Sequence, residues 1–153
     1  MTEYHQKVCV DASIVLKLLL PEEDAHVADS LWSRWQEDHV IRYAPTSLIS
    51  ETFHGIRRNV LRERLTPQEG DDAVARVIDL PIFLHPMDWR DGHDVWHRFV
   101  RQFDYLVTPY DAAYLYVAEA EGCDFWTADE RLVRTVSGEL PWVRALSEVV
   151  IQE

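Results

Sequence analysis

The chain has 153 residues, 47% of them hydrophobic and 27% charged, and carries a formal net charge of −12. This size and balance fit one globular domain over residues 1–153 and exclude a disordered chain. No apolar run approaches the roughly 20 residues of a membrane span, and the acidity excludes a broad nucleic-acid-coating surface, whose phosphate contacts come from Lys and Arg.

Lys7 to Val10 reads as a short buried strand, and Ser13 to Leu20 as a helix that packs on a sheet and stops at Pro21. Glu22 to His39 then places Ala25, Ala28, Leu31, Trp32 and Trp35 at helical spacing. Ile41 to Ala44 is a second strand. Pro45-Thr46 opens a helix in which Leu48, Ile49, Thr52, Phe53 and Ile56 recur at intervals of three and four. Thr66-Pro67-Gln68-Glu69 is a capping box with proline at the first helical position. Its helix runs to about Asp79, with Ala73, Val74, Val77 and Ile78 inward, and ends at Pro81.

Ile82 to His85 is a third strand, followed by a helix from Asp88 to Phe103 carrying Val95, Trp96, Phe99 and Val100. Pro109 precedes a helix from Tyr110 to Glu121, which Gly122 ends. Phe125 to Thr127 is a fourth strand, Glu130 to Val136 a short helix, and Trp142 to Leu146 a last strand. Strands alternate with helices throughout, which indicates an α/β fold around a parallel sheet of four to five strands. Repeats, linkers and low-complexity tracts are absent from the sequence.

Ligands in open parallel sheets bind beyond the carboxyl ends of the strands. Asp11 and Asp129 each follow a strand, Glu51 lies on the helix after the second strand, and Asp111 sits in the first turn of the helix after Pro109. Two carboxylates about 4 Å apart repel by roughly 4 kcal/mol at an effective dielectric of 20. Four that converge without a basic partner stay ionised only around a cation, which points to Mg²⁺ or Mn²⁺ and to metal-assisted hydrolysis at a phosphate.

Each acid has a structural alternative. Asp11 and Asp129 fit helix caps, and Asp111 fits the macrodipole of its helix. Glu51 has Leu48, Ile49, Phe53 and Ile56 around it on its helix; placed in that stripe, it needs a partner or a metal. One shared site explains all four better than four coincidences.

Ser13 and Thr127 are possible supporting hydroxyls for a metal-bound water or a carboxylate, and backbone capping is their equal alternative. His54 follows Glu51 by three residues. His93 and His97 have i, i+4 spacing but lack the following Glu of a zinc protease helix. Arg57, Arg58, Arg62 and Arg64 form the densest basic cluster and read either as phosphate contacts or as a solvated face. Cys9 and Cys123 read as buried, reduced thiols of a cytoplasmic protein, and Met1 to His5 lacks the charge pattern of a signal peptide. The six tryptophans read as core packing first and interface second.

Several segments resemble the PIN-domain ribonucleases, in particular the VapC-type toxins of toxin–antitoxin pairs. They are Val10-Asp11-Ala12-Ser13 with Lys17, Leu20-Pro21-Glu22-Glu23, Ala44-Pro45 with Ser50-Glu51, Tyr110-Asp111-Ala112-Ala113-Tyr114 with Ala118-Glu119, and Thr127-Ala128-Asp129-Glu130-Arg131-Leu132. The resemblance spans nearly the whole chain in order. It implies a three-layer α/β/α fold and Mg²⁺- or Mn²⁺-dependent endonucleolytic cleavage of RNA. It also implies an acidic quartet, carried over as Asp11, Glu51, Asp111 and Asp129, all of the expected type. A homodimer and a cognate antitoxin reaching into the site are implied as well.

Two other classes compete. A catalytically silent PIN-like binding module acting through protein partners is the main alternative. A phospho-acceptor signalling domain would need adjacent acids after the first strand and a lysine after a late one, and Asp11-Ala12 and Thr127-Ala128 supply neither.

Overall fold

The computed structural model describes residues 6–151; Met1 to His5, read above as lacking a signal peptide, lie outside them. Five parallel strands form the centre: β1 (Lys7–Val10), β2 (Ile41–Pro45), β3 (Phe83–His85), β4 (Asp124–Thr127) and β5 (Val143–Ala145), in the order β3-β2-β1-β4-β5. The chain leaves β1 toward β2 on one side and returns to β4 on the other. The order therefore reverses at β1, and this is where an open α/β sheet leaves a crevice. Val8, Cys9 and Val10 are all buried, as expected of a central parallel strand covered on both faces.

The register fixes what each face carries. Cys9 lies beside Tyr43 on β2 and Phe125 on β4, while Val8 and Val10 share the other face with Arg42 and Trp126. Helix α1 (Ala12–Leu19) begins one residue after Asp11, α2 (Ala25–Glu37) follows, and α3 (Leu48–Leu61) and α4 (Pro67–Val77) pack with α1 on that second face. Helix α5 (Trp89–Val95) runs into a π-helical segment, Trp96–Arg101. Helix α6 (Pro109–Glu121) covers β1, β2 and β4 on the first face, and α7 (Glu130–Val136) packs beside β5. Ala112, Ala113, Leu115, Val117 and Ala118 are buried on α6, and the three alanines let the helix lie close on the sheet. The layers are helix, sheet, helix, as the sequence implies.

The capping box at Thr66 and Glu69 and the left-handed Gly122 that ends α6 both form. Four expectations are corrected. Val74 and Ile78 point outward, 38% and 83% exposed, because α4 buries only Gly70 and Ala73 against its neighbours. The Asp88–Phe103 helix changes from α to π winding at Trp96, which leaves Phe99 and Val100 inward but Trp96 44% exposed. The last strand is shorter than Trp142 to Leu146, since Leu146 already belongs to a 3₁₀ turn. Ile49 and Phe53 share helical spacing with the buried Leu48 and Ile56, yet are 47% and 40% exposed, because α3 packs chiefly against α1 and α4. Of the tryptophans, Trp32 and Trp35 belong to the core, whereas Trp89 is 95% exposed.

Candidate metal centre

Asp11, Glu51, Asp111 and Asp129 line one cavity of about 670 Å³ at the carboxyl edge of the sheet. Ser13, Ser50, His54, Arg58, Tyr110 and Tyr114 line it too. Four segments distant in sequence supply the acids. Asp11 follows β1 directly and caps α1, Glu51 lies in the first turn of α3, Asp111 in the first turn of α6, and Asp129 caps α7.

Asp11 is the most confined. It is 6% exposed, yet it accepts four hydrogen bonds. Its Oδ1 takes the backbone N–H groups of Ser13 (3.1 Å) and Ile14 (3.3 Å) and the Ser13 hydroxyl (2.5 Å). Its Oδ2 takes the Thr127 hydroxyl at 2.5 Å. Both hydroxyls give their single proton to Asp11 and use their lone pairs elsewhere. Ser13 Oγ accepts from Ala128 N–H at 2.9 Å, and Thr127 Oγ1 accepts from Asp129 N–H at 3.0 Å. The turn carrying Asp129 is thus tied to Asp11 through two hydroxyls. Among the described residues, Asp129 keeps one oxygen without a hydrogen-bond partner, since Oδ1 caps Leu132 N–H at 3.1 Å.

Glu51 is half-buried, and its Oε2 accepts from the Tyr114 hydroxyl at 2.7 Å. Tyr114 is 1% exposed and stacks on Phe125, with ring centroids 5.7 Å apart. Asp111 follows Thr108, whose hydroxyl accepts from Asp111 N–H at 3.1 Å.

Burial pushes the Asp11 carboxyl up to about 6; the Ser13 and Thr127 hydroxyls and the Ile14 N–H pull it down, and the Asp111 charge adds to the rise. Asp111 is also pushed up to about 6, by burial first, then by the charges of Asp129 and Glu51. Glu51 rises through burial, with the Tyr114 and Ser47 hydrogen bonds opposing. The acids therefore feel one another and are short of positive charge.

Among the described residues, no three His, Cys, Asp or Glu side chains are drawn together into a ready-made metal cage. A hard divalent cation does not need one. Mg²⁺ keeps several waters and takes one or two carboxylates plus substrate phosphate oxygens. Apart from the His54 imidazole, the metal donors facing the cavity are carboxylate and hydroxyl oxygens, which suit Mg²⁺ or Mn²⁺ rather than a thiophilic metal.

The expectation that the acids lack any basic neighbour is corrected, because His54 and Arg58 line the same cavity. The arginine cluster divides: Arg58 faces the acids, while Arg64 lines a separate cavity with Lys17, Glu22 and Glu23. His93 and His97 touch on an exposed helix face, with ring centroids 4.5 Å apart and planes tilted by 51°, and neither lines the cavity of the four acids. Sequence reasoning gave no site role to Tyr114, Tyr110 or Ser50. The signal for Tyr114 is present, since it follows Asp111 by three residues and so shares its side of α6.

Comparison with known proteins follows the same line. Residues 8–137 match the family described as PIN domain. The chain is 31% identical over 127 residues to Ribonuclease VapC3 of Pyrobaculum aerophilum, covering 82% of this chain and 92% of that protein. Two crystal structures share the fold at lower identity. One is VapC20 of Mycobacterium tuberculosis, a Sarcin-Ricin loop cleaving toxin: TM-score 0.59, 16% identity, 79% of this chain and 87% of that one. The other is a second Pyrobaculum aerophilum protein: TM-score 0.64, 20% identity, 94% of this chain and 91% of that one.

Proposed function

The chain belongs to the PIN-domain family, and from that premise we propose that it is a divalent-metal-dependent endoribonuclease acting as the toxin of a toxin–antitoxin pair. The observation that carries this reading is the meeting of Asp11, Glu51, Asp111 and Asp129 on one cavity. Those residues would hold Mg²⁺ or Mn²⁺, which when bound supplies an activated water and offsets charge on the phosphate.

The rest of the work falls to the chain itself. Ser13 and Thr127 hold Asp11 in its ionised orientation. Tyr114 holds Glu51 from α6. Arg58 and His54 face the cavity from α3 and suit the phosphates flanking the scissile bond. Tyr110, 64% exposed at the rim, offers a ring on which an unpaired base can stack. This supports single-stranded or looped RNA as the substrate, whose bases are free to splay outward.

The charge of −12 supports a basic protein partner, and hence an antitoxin that docks by charge complementarity. A homodimer and a cytoplasmic location belong to the same reading. Among the described residues, no helix is long and apolar enough to cross a membrane. The silent-module alternative is not favoured, since every acid of the quartet is present and faces the cavity.

Purified protein with Mg²⁺ and a structured RNA containing single-stranded loops tests the proposal. Cleavage is expected, with a loss of more than about 100-fold in Asp11→Asn, beyond the scale on which even supporting groups of a metal site matter. Equal cleavage by both proteins would remove Asp11 from the mechanism, and none by either would favour the silent module.

A further inference from the structure

A second cavity, of about 370 Å³, opens on the other side of the sheet's length, and it shares no residue with the one described above. Trp35, Gln36 and His39 line it from the end of α2 and the following turn, Ile41 and Arg42 from the start of β2, and Pro81 from the approach to β3. Arg42 pairs in register with Val8, three residues before Asp11, so it lies about 10 Å back along the strands from the acidic edge.

Arg42 is the unusual member. It is 8% exposed, and its Nε and Nη1 are buried without a hydrogen-bond partner among the described residues. The guanidinium lies 4.6 Å from the centroid of the Trp32 ring. That contact attracts the cation, yet it supplies no acceptor for its N–H groups. The Trp32 Nε1 is likewise buried and unpartnered. Among the described residues, three neighbouring donors, one group of them permanently charged, thus have no acceptor. Among the described residues, the cavity lining contains a guanidinium, an imidazole and an amide but no carboxylate, in a chain with 27 acidic residues against 15 basic ones.

We infer that this cavity is a second ligand site, which takes a small organic anion: a carboxylate or phosphate carried on an apolar body. The oxyanion supplies the counter-charge that Arg42 lacks among the described residues, since a guanidinium fork matches such groups. The body fits against Trp35, Ile41 and Pro81, and the volume falls in the range of small-molecule pockets, roughly 300–1,000 Å³. This assignment stands independently of the nuclease reading.

The test is binding at constant ionic strength, followed by tryptophan fluorescence and by the thermal midpoint, with sodium benzoate and phenyl phosphate as probes and benzamide as the uncharged control. The full chain is expected to bind at least one anion saturably and to melt higher in its presence, and benzamide to do neither. Arg42→Gln is expected to lose about tenfold or more in affinity.

Should Arg42→Gln fail to fold, Gln36→Glu carries the test, because it changes an exposed residue and brings a carboxylate to the rim. It is expected to melt higher without ligand and to lose anion binding. Glu3→Gln, outside the described residues, is expected to leave affinity unchanged. The inference is overturned by any of three results: no saturable binding of either anion, equal binding in Gln36→Glu, or about a tenfold gain in Glu3→Gln. The last would mean that the chain fills the site with its own carboxylate.

Discussion

Tyr114 donates its hydroxyl to Glu51 Oε2 at 2.7 Å, joining α6 to α3 across the floor of the acidic cavity. The bond opposes the rise that burial imposes on the Glu51 carboxyl. Tyr114→Phe keeps the ring stacked on Phe125 and removes only that donor. It is expected to cost about 1 kcal/mol of stability, the usual net worth of one hydrogen bond. With Glu51 then protonated at a higher pH, the acid limb of the cleavage–pH profile should move upward, and more Mg²⁺ should be needed for half-maximal rate. An unchanged acid limb would show that Tyr114 only packs.

The acids should also set how stability depends on pH. Asp11 has an ordinary value near 3.9 in the unfolded chain and about 6 in the folded one. Between those values the folded state holds a proton that the unfolded state has lost, so stability falls as pH rises from about 4 through about 6. The net penalty on its charge, burial and the Asp111 charge less the hydrogen bonds, is on the order of 3 kcal/mol above that window. Asp111 acts in the same direction, weakened by its partial exposure to water. Without divalent ions, the thermal midpoint should therefore be lower at pH 7.5 than at pH 5. Added Mg²⁺ or Mn²⁺ should raise the midpoint more at pH 7.5, where the acids are ionised. A midpoint that climbs with pH, or a metal effect equal at both, would contradict the shared site.

Much of this centre was legible because its parts follow rules tied to the backbone. An acid after a buried strand, such as Asp11 after Val8-Cys9-Val10, can be placed at the carboxyl edge from alternation of strands and helices alone. Glu51 was ambiguous, because a position on an amphipathic helix does not reveal which long-range neighbour it meets. Its partner Tyr114 lies 63 residues away. The exposure of Ile49, Phe53, Val74 and Ile78 was missed for a related reason. Helical periodicity finds an apolar stripe but not how much of its width another layer covers. Arg42 escaped notice altogether, since a lone arginine in a short strand carries no periodic signal, and only the packing of α2 reveals its burial.

Thr127 and Ser13 allow a graded test of how Asp11 is held. Thr127 is fully buried, and its hydroxyl both donates to Asp11 and accepts from Asp129 N–H. Thr127→Val keeps the shape and leaves that N–H without an acceptor, at a cost of about 1–3 kcal/mol. Thr127→Ser retains the hydroxyl and should recover most of the lost cleavage. Ser13→Ala should lower cleavage too, with a smaller loss of stability, because its site is only partly buried. Failure of Thr127→Ser to rescue would shift the weight from the hydrogen bond to the Thr127 methyl group.

Gly55 links packing to the site most directly. It stands one helical turn after Glu51, and a Cβ added there would come within 2.5 Å of Leu16 Cδ1 on α1. Leu16 is 8% exposed and itself lines the acidic cavity, so its end can turn aside only by disturbing α1 or the cavity wall. Gly55→Ala gains helix propensity of up to about 1 kcal/mol. Against that stands an overpacking cost of about 1–3 kcal/mol. The balance is a small net loss of stability, while cleavage should suffer more, because α1 carries Asp11 at its start and α3 carries Glu51. Leu16→Ala in the same chain frees the space and should restore part of the cleavage rate. A Gly55→Ala protein with full activity would show that the α1–α3 spacing does not govern the distance between the two acids.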